Sequence, residues 1–285
     1  AGVQMILLVE DSIRFYSSIL PNLYNYILEQ SKNFSQEALN RHAATMRMRG
    51  RPKVVLARTY EEAQKLYDKY SDNTLGVISD ARFPLKSAAK AFGNEVMPEE
   101  KPKHRTDTFG REKCPDAGLQ LFRYIRKNDP FVPLIIESSE SENRAKAEAE
   151  GFRFVDKNSK KMSVDLRRLM EEHMGFGDFI FRDPKTHEEI MRIHSLKELQ
   201  DNIFNIPNDS MLYHISRNHM SRWLCARAIF PVSAFLKHVT WEKLQDVDAH
   251  RQIIFDAIVQ YRHMKNIGVV AVFDRMKFDK YAHFA

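Results

Sequence analysis

The feature that most limits how this chain can fold is a recurrence, from residue 5 to about 174, of short aliphatic runs each followed by an amphipathic charged stretch. Runs of β-branched and aliphatic residues without polar alternation suit strands buried on both faces, and an intervening helix lets such strands run parallel. The pattern predicts strands at 5–9, 53–57, 75–79, 133–137 and 152–156. Helical spacing falls between them at 60–70, 117–127, 141–150 and 163–174, with Ser141 and Ser163 in N-cap positions and Gly151 and Gly175 where helices should stop. The expected architecture is therefore α/β, a doubly wound five-stranded parallel sheet.

Two places interrupt the rhythm. Apolar positions Phe15, Ile19, Leu23, Ile27 and Leu28, then Leu39, Ala43 and Met46, predict an unusually long first helix or a helical hairpin, kinked at Pro21 and reaching Arg49. Residues 85–115, rich in Lys, Glu, Pro and Gly, stand where a βα loop of about 2 to 6 residues would be usual, and are expected to be a surface insertion. A change of pattern at Gly175-Phe176-Gly177 predicts a boundary, dividing the chain into domains 1–175 and 176–285. Beyond it, a hairpin over 179–181 and 190–193 turns at Asp183-Pro184. Helical spacing at 195–203, 210–235 and 241–265 and a closing strand at 269–273 complete a smaller, mostly helical α+β domain. The ends of the sequence are expected to be cuts from a longer parent.

Composition closes off several classes of function. No apolar run approaches the ~18 residues of a membrane span, and the N-terminus has no secretory pattern. Two distant cysteines, Cys114 and Cys225, exclude a disulfide framework or a zinc-finger spacing, which fits a reducing, cytoplasmic home. A net charge of +6 permits an acidic partner without requiring one. The run of Arg41, Arg47, Arg49, Arg51 and Lys53 reads better as cations at a helix C-terminus than as a nucleic-acid patch, since no aromatics interleave it. His214 and His219, five apart in one predicted helix, do not share a face as an i, i+4 metal pair would, and read as core or capping residues. Trp223, Leu224, Phe230, Phe235 and Leu236 read as a helix-packing core.

The chemistry lies at the strand ends, which converge on one crevice in an open parallel sheet. The first strand ends in Glu10-Asp11, the third in Asp80, the fourth in Ser138 and the fifth in Lys157. Crowded carboxylates repel unless a hard cation such as Mg²⁺ sits among them, and a lysine and a hydroxyl beside that cation supply what a phosphoryl group needs. A Gly-rich dinucleotide turn is missing after the first strand. A second aspartate two residues past Asp80, which haloacid-dehalogenase chemistry needs, is replaced by Arg82.

Four segments together, Ile6-Leu-Leu-Val-Glu-Asp-Ser12, Val77-Ile-Ser-Asp-Ala-Arg-Phe-Pro84, Pro133-Leu-Ile-Ile-Glu-Ser-Ser-Glu140 and Phe154-Val-Asp-Lys157, resemble a response-regulator receiver domain over about residues 3–175. The resemblance implies a flavodoxin-like fold in which Asp80 accepts a phosphoryl group from a sensor histidine kinase or other phosphohistidine donor. It implies Mg²⁺ on Glu10, Asp11, Asp80 and the Arg82 main-chain carbonyl, Lys157 on the acyl phosphate, Ser138 bonding a phosphoryl oxygen, and Phe154 as the switching aromatic. The Arg82 side chain is expected to overhang the acyl phosphate. Asn158 departs from the proline that usually follows the lysine.

In the second half, Phe176-Gly-Asp-Phe-Ile-Phe-Arg182, the segment from Tyr213 to Arg227 and Gly268-Val-Val-Ala-Val-Phe-Asp274 are similar to the region linking a receiver to the ATP-binding domain of phosphoenolpyruvate synthase or pyruvate phosphate dikinase-like proteins. That implies a regulatory segment, itself no enzyme, whose partners are a downstream ATP-binding catalytic domain of its parent and, through the long helix, a second copy in a homodimer. Rival readings are a DNA-binding response regulator and a degenerate receiver acting as an unphosphorylated scaffold.

Overall fold

The computed structural model describes residues 3–38, 40–86, 106–107 and 110–282, with only the backbone path for 266–282. Leu39 and most of the insertion expected at 85–115, namely 87–105, 108 and 109, lie outside the described residues.

The sheet is built from β1 (Met5–Val9), β2 (Lys53–Ala57), β3 (Thr74–Asp80), β6 (Leu134–Ser138) and β7 (Arg153–Asp156), all parallel, in the order β2-β1-β3-β6-β7. This is the flavodoxin-like doubly wound order. The helices between them are α1 (Ile13–Gln36), α2 (Arg41–Arg49), α3 (Tyr60–Tyr70), α4 (Ala117–Asn128), α5 (Glu142–Ala149) and α6 (Met162–His173). Two-residue strands β4 (Phe83–Pro84) and β5 (Lys113–Cys114) pair antiparallel at the two ends of the insertion.

Alternation along each strand serves two faces. Met5, Leu7, Val9, Val77, Leu134 and Ile136 join one apolar cluster with Ala63 and Tyr67 of α3 and Leu121, Phe122 and Ile125 of α4. Ile6, Leu8, Ile78 and Ile135, pointing the other way, are also fully buried, as strands covered on both sides require. Tyr26 of α1 reaches α6 with its hydroxyl 3.1 Å from Glu171 Oε1. Thr59 caps α3 by accepting from the Glu62 amide, while Glu62 accepts from the Arg58 amide.

Caps and breaks account for the differences from the expected elements. Ser163 lies inside α6 behind Lys161, and Ser141 makes no side-chain cap. Gly151 and Gly175 do end their helices at φ of 73° and 82°, which L side chains adopt rarely. Pro21 sits within the continuous α1.

Contacts divide the chain into two units, one holding Gly2–Ile27 and Pro52–Met174, the other Leu28–Arg51 and Gly175–Ala285. In the second, β8 (Phe179–Arg182) and β9 (Glu189–Ile193) form a hairpin, followed by α7 (Leu196–Asn202), α8 (Asn208–Ser216), α9 (His219–Ala226), α10 (Phe230–His238) and α11 (Val247–Ala282). Residues 269–273 are therefore helical, not a closing strand, because a short apolar run fits either periodicity. Likewise 210–235 is three helices. Asn218, at φ 54°, breaks the path between α8 and α9 and turns the His214 and His219 rings together, Nδ1 to Nδ1 at 3.0 Å.

His214 packs on Phe179 and Phe181, with Trp223 on Phe179. Trp223, Leu224 and Leu236 are buried as expected, but Phe235 is half exposed. The Arg227 guanidinium stacks on Trp223 and donates to the Gly175 and Gly177 carbonyls, and Trp223 Nε1 donates to Gly177 O as well. In the basic run, Arg47 is buried and donates to Phe34 O, and Arg51 donates to Met48 O, so two of its cations serve the fold.

Candidate functional site

The chain reverses its direction of progress across the sheet between β1 and β3, and the crevice past the carboxyl ends of those strands is where doubly wound folds bind ligands. Val9 pairs with Ser79, so the next residues, Glu10 and Asp80, emerge side by side. The Glu10 amide still donates to Ala57 O at 3.0 Å, and Glu10 Oε1 accepts from the Ser12 amide at 2.9 Å, which fixes the turn into α1. Glu10, Asp11 and Asp80 each present a carboxylate oxygen, all within 4.8 Å of one another.

Lys157 arrives from the far strand. Its amide donates to Ser138 O at 3.0 Å, extending the β6–β7 ladder by one step and carrying the side chain into the crevice. Its ammonium is buried, pairs closely with Glu10 and lies 3.0 Å from Asp80 Oδ1. The same ammonium sits 4.5 Å from the centre of the Phe15 ring, a cation–π contact from α1. Asp80 Oδ1 also accepts from the Ala81 amide at 2.8 Å.

Ser138 Oγ accepts from Asn143 Nδ2 at 2.9 Å and from the Glu140 amide at 3.1 Å, which leaves the hydroxyl its proton to donate. Phe154 is half-buried against the core, with the Arg144 guanidinium 4.6 Å above its ring. The Arg82 side chain forms an ion pair with Glu140 at 3.1 Å. Asn158 stabilises its loop by donating from Nδ2 to Ser139 O, and its amide donates to Asp156 Oδ1.

Three residues of this neighbourhood were not singled out by strand-end reasoning. Glu137, paired in register with Asp80, is fully buried, and neither of its carboxylate oxygens accepts a hydrogen bond. It is the last residue of the expected strand 133–137, one place before the strand-end residue Ser138. Lys113, from β5, places its ammonium 2.7 Å from Asp11 Oδ2. A lysine thirty-three residues past Asp80 has no sequence signal for such a contact. Gly118 packs so closely that a Cβ there would lie 2.3 Å from Asp80 O. Its amide donates to Ala81 O, so α4 begins against the backbone at Asp80 and Ala81.

The electrostatics follow from crowding. Burial and Asp80 push the Glu10 carboxyl up to about 8, against the pull of Lys157. Burial pushes Glu137 up to about 7, with Lys157 opposing and Asp80 reinforcing. Burial also raises Asp11, against Lys113. For Lys157, burial disfavours the charge, but Asp80, Glu137 and Glu10 outweigh it and hold the ammonium above its ordinary range. Burial is the largest cause in all three carboxyls, and neighbouring carboxylates add to it at Glu10, Asp11 and Glu137.

Both Asp11 oxygens are buried, and Oδ2 meets the Lys113 ammonium at 2.7 Å. Four carboxylates face two ammonium groups, a deficit of two charges that a divalent cation would fill. A hard ion with oxygen ligands fits this donor set.

The chain matches no protein-family model. It matches no curated protein. Among solved structures, it is similar to a response regulator receiver domain protein from Clostridium thermocellum, at 15% identity and a TM-score of 0.36 over 60% of this chain and 94% of that one. It is also similar to the non-phosphorylated HemR receiver domain from Leptospira biflexa, at 20% identity and a TM-score of 0.34 over 59% and 94%. A third is a two-component transcriptional regulator AraC from Clostridium phytofermentans, at 14% identity and a TM-score of 0.32 over 61% and 93%.

Proposed function

We propose that this chain is a phosphorylation-controlled regulatory segment, with Asp80 as phosphoacceptor. The observation that carries the reading is the juxtaposition of Glu10, Asp11 and Asp80 at the crevice, with Lys157 bridging Glu10 and Asp80. Glu10, Asp11, Asp80 and the Arg82 main-chain carbonyl would hold Mg²⁺, which when bound neutralises charge on the transferring phosphoryl oxygens.

In the transfer, an Asp80 carboxylate oxygen forms a bond to phosphorus. The bond from phosphorus to the donor imidazole nitrogen breaks, and its electron pair returns to the ring. Lys157, already 3.0 Å from Asp80, moves its charge onto the new acyl phosphate. Ser138 donates its remaining proton to a phosphoryl oxygen. Phosphorylation adds about −1.5 to −2 charge and three acceptor oxygens, so it draws Ser138 inward, and Phe154, with the Arg144 guanidinium over its ring, follows. The group can shift the equilibrium only by binding one arrangement better than the other.

The donor is a sensor histidine kinase or another phosphohistidine. We read the second unit as an adaptor that passes the state to a downstream ATP-binding catalytic domain of a phosphoenolpyruvate synthase-like parent, a reading that rests on the likeness of the quoted segments. On this reading the segment is regulatory rather than an enzyme. No helix among the described residues is long and apolar enough to cross a membrane, and the proposed setting is cytoplasmic.

The test is intact mass after incubation with Mg²⁺ and acetyl phosphate, with Asp80→Ala alongside. One phosphoryl group on the wild type and none on the variant is the expected outcome. No addition to the wild type, while a working receiver labels in parallel, would favour the scaffold reading.

A further inference from the structure

Lys113 has no part in the transfer described above, yet its ammonium lies 2.7 Å from Oδ2 of Asp11, a carboxylate with no exposed surface. The lysine side chain is itself largely withdrawn from solvent, at 16% exposure. Its backbone is positioned by pairing with the segment that leaves the acceptor: Pro84 opposes Lys113, and Phe83 opposes Cys114. Upstream, Thr106 bridges Glu112, and the Asp107 carboxylate accepts from both the amide and the Nε of Arg111. The lysine therefore enters the crevice on a braced strand.

An ammonium and a divalent cation seek the same oxygens, and two cations held a few ångströms apart in a buried site repel strongly. We infer that Lys113 is an internal cation that competes with the divalent metal for Asp11, occupying that carboxylate in the metal-free protein and leaving it when metal binds. The inference rests on the metal-site reading of Glu10, Asp11 and Asp80. A lysine suits the role because its charge is compact and sits on a flexible four-carbon stem that can withdraw. Metal binding is thereby coupled to the stem of the insertion: β5 and its pairing to β4 lose their ionic anchor when the metal arrives. The same withdrawal removes one positive charge next to the acceptor as Mg²⁺ supplies two.

The experiment is a titration of the full chain with Mn²⁺, followed by calorimetry and by the loss of free Mn²⁺ signal in electron paramagnetic resonance. The proteins are wild type, Lys113→Met, Lys113→Gln, Lys113→Arg, Asp11→Asn and, as a remote charge control, Lys65→Met, whose lysine is exposed and pairs with Glu61 on α3. Lys113→Met and Lys113→Gln are expected to bind Mn²⁺ about ten-fold tighter than wild type, because a competing charge is gone. Lys113→Arg keeps that charge and should stay within about two-fold of wild type, as should Lys65→Met.

Equal affinity in wild type and both neutral Lys113 variants, with Asp11→Asn weakened, would overturn the inference and leave the metal site standing. Weaker binding in both neutral variants at unchanged melting temperature would overturn it too. If no protein binds Mn²⁺, or Asp11→Asn binds as well as wild type, the metal-site reading falls and the inference with it.

Discussion

At the scale of residues, the site is a problem of charge held in too little space. Glu10, Asp11, Asp80 and Glu137 share Lys157 and Lys113, and burial together with the nearby Asp80 raises the Glu10 and Glu137 carboxyls. The positions of Glu10, Asp11, Asp80, Ser138 and Lys157 were legible in the sequence because each directly follows a strand, and parallel strands deliver their ends to one edge. Glu137, Lys113 and Gly118 were not legible. Their parts depend on which atoms lie across a gap, a matter of register and loop path. Gly118 makes this testable. A methyl group there would press on Asp80 O at 2.3 Å and on the Ile136 side chain at 3.0 Å, so Gly118→Ala should destabilise the protein by about 1–3 kcal/mol. Chemical denaturation would measure that loss, and the variant should also take up phosphoryl more slowly than wild type, since the acceptor's backbone must shift. An unchanged midpoint and unchanged uptake would show that the α4 start yields without moving Asp80.

At the scale of elements, caps and breaks decided what periodicity left open. The helices of the first unit appeared where the apolar spacing put them, since tertiary packing and local preference agree there. The stretch 210–235 did not, because helical spacing survives a sharp turn: Asn218 in a left-handed conformation keeps apolar residues on the buried side while reversing the path. That turn creates the His214–His219 contact. Burial, then Arg217 and Arg182, lowers His214 to about 4. The folded protein thus binds fewer protons than the unfolded chain between about pH 4 and 6.5, so the neutral imidazole's contribution is complete above 6.5 and is lost as pH falls through that window. A shift of this size corresponds to at most ~3 kcal/mol. As pH falls from 7 to 4.5 the melting temperature of wild type should fall relative to that of His214→Phe, whose ring suits the Phe179 and Phe181 environment and carries no titrating group. A difference independent of pH would show that His214 does not titrate in that range.

At the scale of the whole molecule, the proposed metal site links binding to stability. A cation that binds only the folded site adds about 2.7 kcal/mol at one hundred times its dissociation constant. Saturating Mg²⁺ should therefore raise the melting temperature of the wild type over an EDTA-treated sample and leave Asp11→Asn unmoved, as scanning calorimetry would record. Equal shifts in both would place the metal elsewhere. The sequence by itself determined the α/β class, the five parallel strands and the acidic strand ends, because burial on both faces demands uninterrupted apolar runs and a parallel sheet collects their termini. Tertiary structure alone decided which stretches cluster together. The apolar spacing of Ile19, Leu23, Ile27 and Phe34 runs on through α1 while the contacts change partners after Ile27, since periodicity reports that a face is buried and not what buries it. It also decided that 269–273 is helical and that Lys113 meets Asp11, since the first depends on the helix into which the run is absorbed and the second on the return path of an insertion.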